Sequence, residues 1–180
     1  MAKHVPIRQV VAGIETTGLD AANGDRVIEI AAVEMLDSHV SGKHLHSYIN
    51  PERDIDLGAV AIHGISLEML LDKPKFSEVA KEFTDFIRGA ELILHNAPFD
   101  AGFLNKELSL VGLNPIEVFC PSVVDTLAMA RKQRPKQKNN ISALCADYGI
   151  NATRKNLHGA LLDAYLLAEV YLALTRRMLH

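Results

Sequence analysis

Tryptophan is absent from this 180-residue chain, aromatic residues make up only 6% of it, and cysteine occurs twice. Cys120 and Cys145 are too few to staple a small scaffold and match no zinc-ligand spacing. They read as buried thiols of a reducing compartment. Long hydrophobic runs are also missing. The most apolar stretch, Leu161 to Leu174, is broken by Asp163 and Glu169 and is shorter than a bilayer requires. Behind Lys3, His4 and Arg8 the apolar run stops at Glu15 with no cleavage pattern, so no signal peptide is read and a cytoplasmic location is expected. No repeat or low-complexity tract interrupts the chain. What is present is an ordinary globular mix, 48% hydrophobic and 23% charged. That composition suits a single domain over residues 1–180, with the fold proper at about 7–175.

The formal charge of −3 hides an asymmetry. Residues 1–120 carry 10 Lys/Arg against 18 Asp/Glu, and residues 121–180 carry 9 against 4. Five cations fall within Arg131-Lys132-Gln133-Arg134-Pro135-Lys136-Gln137-Lys138. Such a run is either a solvated helix end or a phosphate-contacting rim.

The pattern predicts a central strand over Ile7 to Ile14, closed by the turn formers Thr16-Thr17-Gly18. A strand at Val27 to Glu34 and another at Lys43 to Ile49 are joined across the polar stretch Asp37 to Gly42, as in a hairpin. Phe76 to Ile87 has helical periodicity, and Leu92 to His95 is a short buried strand. Asn96-Ala97-Pro98 opens a further helix. Helices are predicted over Val123 to Lys132, over Ile141 to Tyr148 closed by Gly149, and from Gly159 to Leu174. On the last, Asp163 heads the stripe of Leu167, Val170 and Leu174, so its carboxylate faces the protein. Strands followed by alternating elements and then helices imply an α/β mixed sheet flanked by helices.

Four residues carry candidate chemistry. Glu15 ends the first strand, where open α/β sheets collect ligands. Asp100 and Asp163 each occupy the first turn of a helix, where an acid also complements the helix dipole. His158 immediately precedes the last helix. Taken singly, each has a structural explanation.

Together they resemble a known family. Ile14-Glu15-Thr16-Thr17-Gly18, the run His95 to Phe103, and Leu157-His158-Gly159-Ala160-Leu161-Leu162-Asp163-Ala164 are similar to the three motifs of the DEDDh exonucleases. Ile62-His63-Gly64-Ile65 and the run Phe86 to His95 extend the likeness to the proofreading branch of that family. The resemblance implies a ribonuclease-H-like fold with a five-stranded mixed sheet. It also implies 3′–5′ hydrolysis of DNA with two Mg²⁺ or Mn²⁺ ions, releasing nucleoside 5′-monophosphates. Glu15, Asp100 and Asp163 would be the metal ligands, and His158 the general base. Thr16, Thr17, Gly18, His63 and Phe99 would hold the terminal nucleotide of a single-stranded 3′ end. The implied partner is the catalytic subunit of a bacterial replicative polymerase, bound through a C-terminal tail. This chain ends at Leu179-His180 and is expected to lack that tail.

One position departs from the pattern. The family's first motif is Asp-x-Glu, and Gly13 stands two residues before Glu15. Side chains two apart on a strand share a face, so the missing carboxylate would have stood beside Glu15. Two readings follow: an exonuclease whose activity Gly13 impairs, or a catalytically silent module of the same fold that binds nucleic acid ends or a polymerase.

Overall fold

The computed structural model describes residues 7–153 and 159–178. Its central strand is β1 (Arg8–Thr16), covered on both faces at Val10, Val11 and Ala12. On one side β1 pairs antiparallel with β2 (Val27–Leu36), which pairs in turn with the edge strand β3 (His39–Tyr48). On the other, β1 runs parallel to β4 (Glu91–Leu94), and β4 to β5 (Ser122–Asp125). The order β3-β2-β1-β4-β5 is the mixed five-stranded sheet of the sequence reading.

Two connections differ from expectation. The β2–β3 hairpin turns on Asp37 and Ser38 alone, with φ of 48° and 66°. Two successive left-handed residues match the twist of the strands they join. Residues 39–42, expected in the connection, belong to β3. They face solvent, Val40 included, because this edge strand buries only Leu45. The helix expected from Val123 starts later, because Val123 and Val124 pair with Leu92 and Ile93 as the fifth strand.

Alternation along the strands divides the core. Val10, Leu92 and Leu94 meet Phe76 and Phe83 of α2 and Leu104 and Leu108 of α3. α1 spans Leu57–His63, α2 Phe76–Ile87, α3 Ala97–Leu110 and the short α4 Ile116–Phe119. On the opposite face, Val11 and Ile93 meet α5 (Thr126–Gln133), α6 (Ile141–Tyr148) and α7 (Gly159–Met178). Leu167, Val170 and Leu174 are buried on α7, as their spacing requires. Small residues let the start of α7 lie close to the sheet: Ala160 and Ala164 pack on Ala31. α3 is tied to the start of β2 by Glu107. Its carboxylate accepts from Arg26 Nε and Nη2 at 2.8 Å each and from the Val27 amide at 3.0 Å. Cys120 and Cys145 are buried and form no disulfide. Among the described residues no helix is long and apolar enough to cross a membrane.

Candidate active site

The C-terminal end of β1 is where the sequence places its first acid. The β1–β2 register slips between Glu15 and Thr16, a local irregularity of the kind that re-aims side chains beside active sites. Gly13 and Glu15 lie on the face that meets α7. Asp100 comes from the first turn of α3, which Asn96 enters in a left-handed conformation at φ 75°. Asp163 comes from one turn into α7.

These three carboxylates feel one another. Glu15 is pushed up to about 7 by burial and by the nearby charges of Glu29 and Asp163. Asp100, 8% exposed, is pushed up to about 8 by burial and by Glu15 and Asp125. Asp163 is raised by burial and by Glu29. Among the described residues nothing cationic and no hydrogen-bond donor offsets these effects. Three inward acids held only by mutual repulsion suit a cation.

Two cavities meet at this point. The smaller, about 130 Å³, is lined by Ala12, Gly13, Asp100, Ala160 and Asp163, among others. The larger, about 480 Å³, is lined by Glu15, Thr16, Gly18, Leu19, Asp56, His63 and Phe99, with other apolar groups. Ile14 borders both. Asp100 and Asp163 therefore face one cavity, and Glu15 stands at the rim of a mainly apolar recess beside it.

Of the residues expected to hold a nucleotide, Thr16, Gly18, His63 and Phe99 share the larger cavity and Thr17 does not. Thr17 is fully buried. Its hydroxyl donates to Asp25 Oδ1 at 2.9 Å and accepts from the Arg26 amide at 3.0 Å. It braces the turn. Gly18 is required there by close approach, since a Cβ would collide with the carboxylates of Asp25 and Asp56. His63 accepts from the Ile65 amide on Nδ1 at 3.0 Å, so Nε2 carries the proton and donates to Thr16 O at 3.2 Å. Burial keeps its pKa below the usual histidine value. His95 lines the acid cavity, but both its nitrogens are engaged, by Thr126 Oγ1 and Asn139 O at 2.9 Å each. His158 lies outside the described residues.

The basic run splits into two roles. Arg134 is 6% exposed, and its guanidinium donates to Lys138 O, Asn139 Oδ1, Gln137 Oε1 and the Asp147 carboxylate. It fastens the loop from within. Arg131 and Lys136 line a cavity of about 680 Å³ that shares His95 with the acid cavity.

Two acids near the site escaped the sequence reading. Asp125 ends β5, caps α5 through the Leu127 and Ala128 amides, and adds its charge to Asp100. Glu29 faces Glu15 across the ladder, wholly buried. A charged residue inside the apolar run Val27 to Val33 was the available signal for it.

Hard divalent cations take oxygen ligands, and Mg²⁺ is commonly held by one or two carboxylates with substrate phosphates completing its shell. The acids here fit such an ion in kind. They are short in number: among the described residues no three Asp, Glu, His or Cys side chains close on one point to hold an ion unaided. Gly13 is where a further carboxylate is missing. Its backbone does not call for glycine, since its φ is not positive. An added Cβ would meet only Ala160 O, at an ordinary 3.6 Å.

Comparison with known proteins agrees with this geometry. The Exonuclease family pattern matches residues 10–171. DNA polymerase III subunit epsilon of Escherichia coli K12 is 49% identical over 174 residues, covering 93% of this chain and 71% of that protein. The same subunit from Rickettsia typhi is 49% identical over 170 residues, covering 94% and 74%. Among solved structures, exonuclease X in complex with 5′ overhanging duplex DNA superposes with a TM-score of 0.73 at 27% identity, covering 94% of this chain and 92% of that one. Exonuclease I from Methylocaldum szegediense shares the fold, with a TM-score of 0.79 at 21% identity, covering 95% and 40%. The chain thus belongs to the exonuclease family and, within it, to the epsilon subunits of DNA polymerase III, the 3′–5′ proofreading exonucleases.

Proposed function

We propose that Glu15, Asp100 and Asp163 bind Mg²⁺ or Mn²⁺ at the mouth of the recess that takes the terminal nucleotide of a single-stranded DNA 3′ end. The observation that carries this reading is the meeting of three acids, unpartnered among the described residues, with a largely apolar cavity at residues 14–15. Thr16, Gly18, His63 and Phe99 surround the terminal sugar and base, since aromatic faces stack on bases with little sequence preference. Two divalent ions, when bound, stabilise the attacking and leaving oxygens of a phosphodiester. His158 takes the proton from the attacking water. The products are a nucleoside 5′-monophosphate and a shortened strand. Lys136 and Lys138 contact phosphates further along it. Two buried cysteines outside any disulfide suit a cytoplasmic enzyme, and the polymerase catalytic subunit is its partner.

Gly13 supports a second reading, binding without hydrolysis. One experiment separates the two: nucleotide release from single-stranded DNA and Mn²⁺ binding, measured for the parent, Gly13→Asp, and Gly13→Asp/His158→Ala. Restored transition-state stabilisation of ~3–5 kcal/mol corresponds to roughly 10²–10⁴ in rate. The rate and Mn²⁺ affinity are expected to rise together in Gly13→Asp, and loss of His158 should remove most of the rate. No nucleotide release by either the parent or Gly13→Asp, with DNA binding retained, favours the silent module; release by both at the same rate means that another residue already fills the metal position.

A further inference from the structure

Glu29 is buried at 0% exposure inside β2, yet among the described residues it pairs with neither Lys nor Arg. Its two oxygens serve different elements. Oε1 bonds His46 Nε2 of β3 at 2.7 Å, and Oε2 accepts from the Ala160 amide of α7 at 3.1 Å. Burying a carboxylate is expensive, and a surface Ser or Asp would cap a helix at lower cost. This carboxylate is moreover directly opposite Glu15, whose like charge opposes it. Gly159 completes the arrangement. It is left-handed at φ 58°, and a Cβ there would fall on both oxygens of Glu29. The helix start has been brought against the carboxylate as closely as a bare backbone permits.

We propose that Glu29, steered by His46, is a positioning residue that seats the first turn of α7 and thereby sets where Asp163 stands. The geometry is a relay across the sheet from β3 through β2 to α7, with Asp163 one turn past Gly159. It rests on the reading of Asp163 as a metal ligand, and it assigns that ligand's placement to a side chain that touches neither cation nor substrate.

The test uses Glu29→Gln, Glu29→Ala, His46→Ala and Gly159→Ala in the full chain. It reads Mn²⁺ affinity by electron paramagnetic resonance, amide hydrogen exchange over residues 159–164, and urea stability. Groups that orient metal ligands typically affect affinity by about 10–100-fold. Glu29→Ala and Gly159→Ala should weaken Mn²⁺ by about that factor and speed exchange at 159–164. His46→Ala should do the same to a smaller degree. Glu29→Gln keeps a carbonyl oxygen for the Ala160 amide and should stay near the parent in both readouts. If Gln weakens Mn²⁺ as much as Ala, the charge of Glu29 matters rather than its bond, and the proposal is overturned. Unchanged affinity in Glu29→Ala overturns it too. If Glu29→Ala unfolds, the milder His46→Ala and Gly159→Ala decide. If the parent binds no Mn²⁺, the metal reading fails by itself, and exchange at 159–164 still decides whether Glu29 seats the helix.

Discussion

Glu15 and Glu29 stand directly opposite each other on β1 and β2, yet one carboxylate is bonded twice and the other has no donor among the described residues. The pair therefore divides its labour. Glu29 is spent on holding structure, and Glu15 is left exposed to whatever cation enters. Like charges facing across a ladder destabilise it, so this arrangement has consequences for the metal-free protein.

Stability without metal should fall as the pH rises through neutrality. Glu15 and Asp100 have folded pKa values of about 7 and 8, above the ordinary carboxylate range. The folded state then holds protons that the unfolded chain has already released. Their contribution is complete below about pH 4 and is lost as pH climbs through 7 and 8. His63 and His95 have lowered pKa values and act in the opposite sense, but only below about pH 6.5. Between pH 6.8 and 8.8 in EDTA, Tm is expected to drop by about 2–5 °C. Mn²⁺ should restore it most at the upper end, and Asp100→Asn should flatten the slope. A flat profile for the parent in EDTA would show that the acids are not crowded together.

Glu107 is 1% exposed and satisfies Arg26 in bidentate fashion along with the Val27 amide. Glu107→Ala leaves a guanidinium and a buried amide unpaired, and should cost about 3–5 kcal/mol. Urea unfolding measures it. A loss below 1 kcal/mol would mean water replaces the carboxylate at no penalty.

Arg134 and its lysine neighbours should separate cleanly. Arg134→Ala removes four acceptor contacts and should lower stability by about 2–4 kcal/mol. Lys136→Ala/Lys138→Ala should leave Tm in place and weaken single-stranded DNA binding equally for all sequences. Its salt slope should shrink by up to about 1.4, at roughly 0.7 per contact. Fluorescence anisotropy between 50 and ~200 mM salt reads the slope. Unaltered binding would return both lysines to the solvated surface.

Ser38 adopts φ 66° in the two-residue hairpin turn, a conformation glycine takes at little cost. Ser38→Gly creates the Asp-Gly pair favoured in such turns and should stabilise by about 0.5–1 kcal/mol. A decrease in urea midpoint would count against the left-handed turn.

How legible these features were in the sequence depended on what each residue packs against. α2 shows its full span because Val79, Phe83 and Ile87 recur on one buried face, and α6 because Gly149 closes it in a left-handed cap. α1 buries nothing, so no apolar period announces it. β5 is four residues long and runs straight into a helix, which hides the change of period at Asp125. Glu15, Asp100 and Asp163 were legible through the motifs that carry them. Thr16 and Thr17 were not separable, because adjacent residues at a strand end point different ways and only the fold shows which of them lines the cavity. Glu29 was hidden for another reason: its partners lie 17 and 131 residues away, on β3 and α7.

The slip in register between Glu15 and Thr16 has an implication for how this enzyme can change over time. Beside it the strand end borders two compartments that share only Ile14 in their walls, Asp100 and Asp163 lining one and Glu15 standing in the mainly apolar recess of the other. Substitutions at position 13 alter only the first wall. Grip on a DNA terminus and the speed of cutting it can therefore drift independently, and a lineage can trade one away while the other stays under selection.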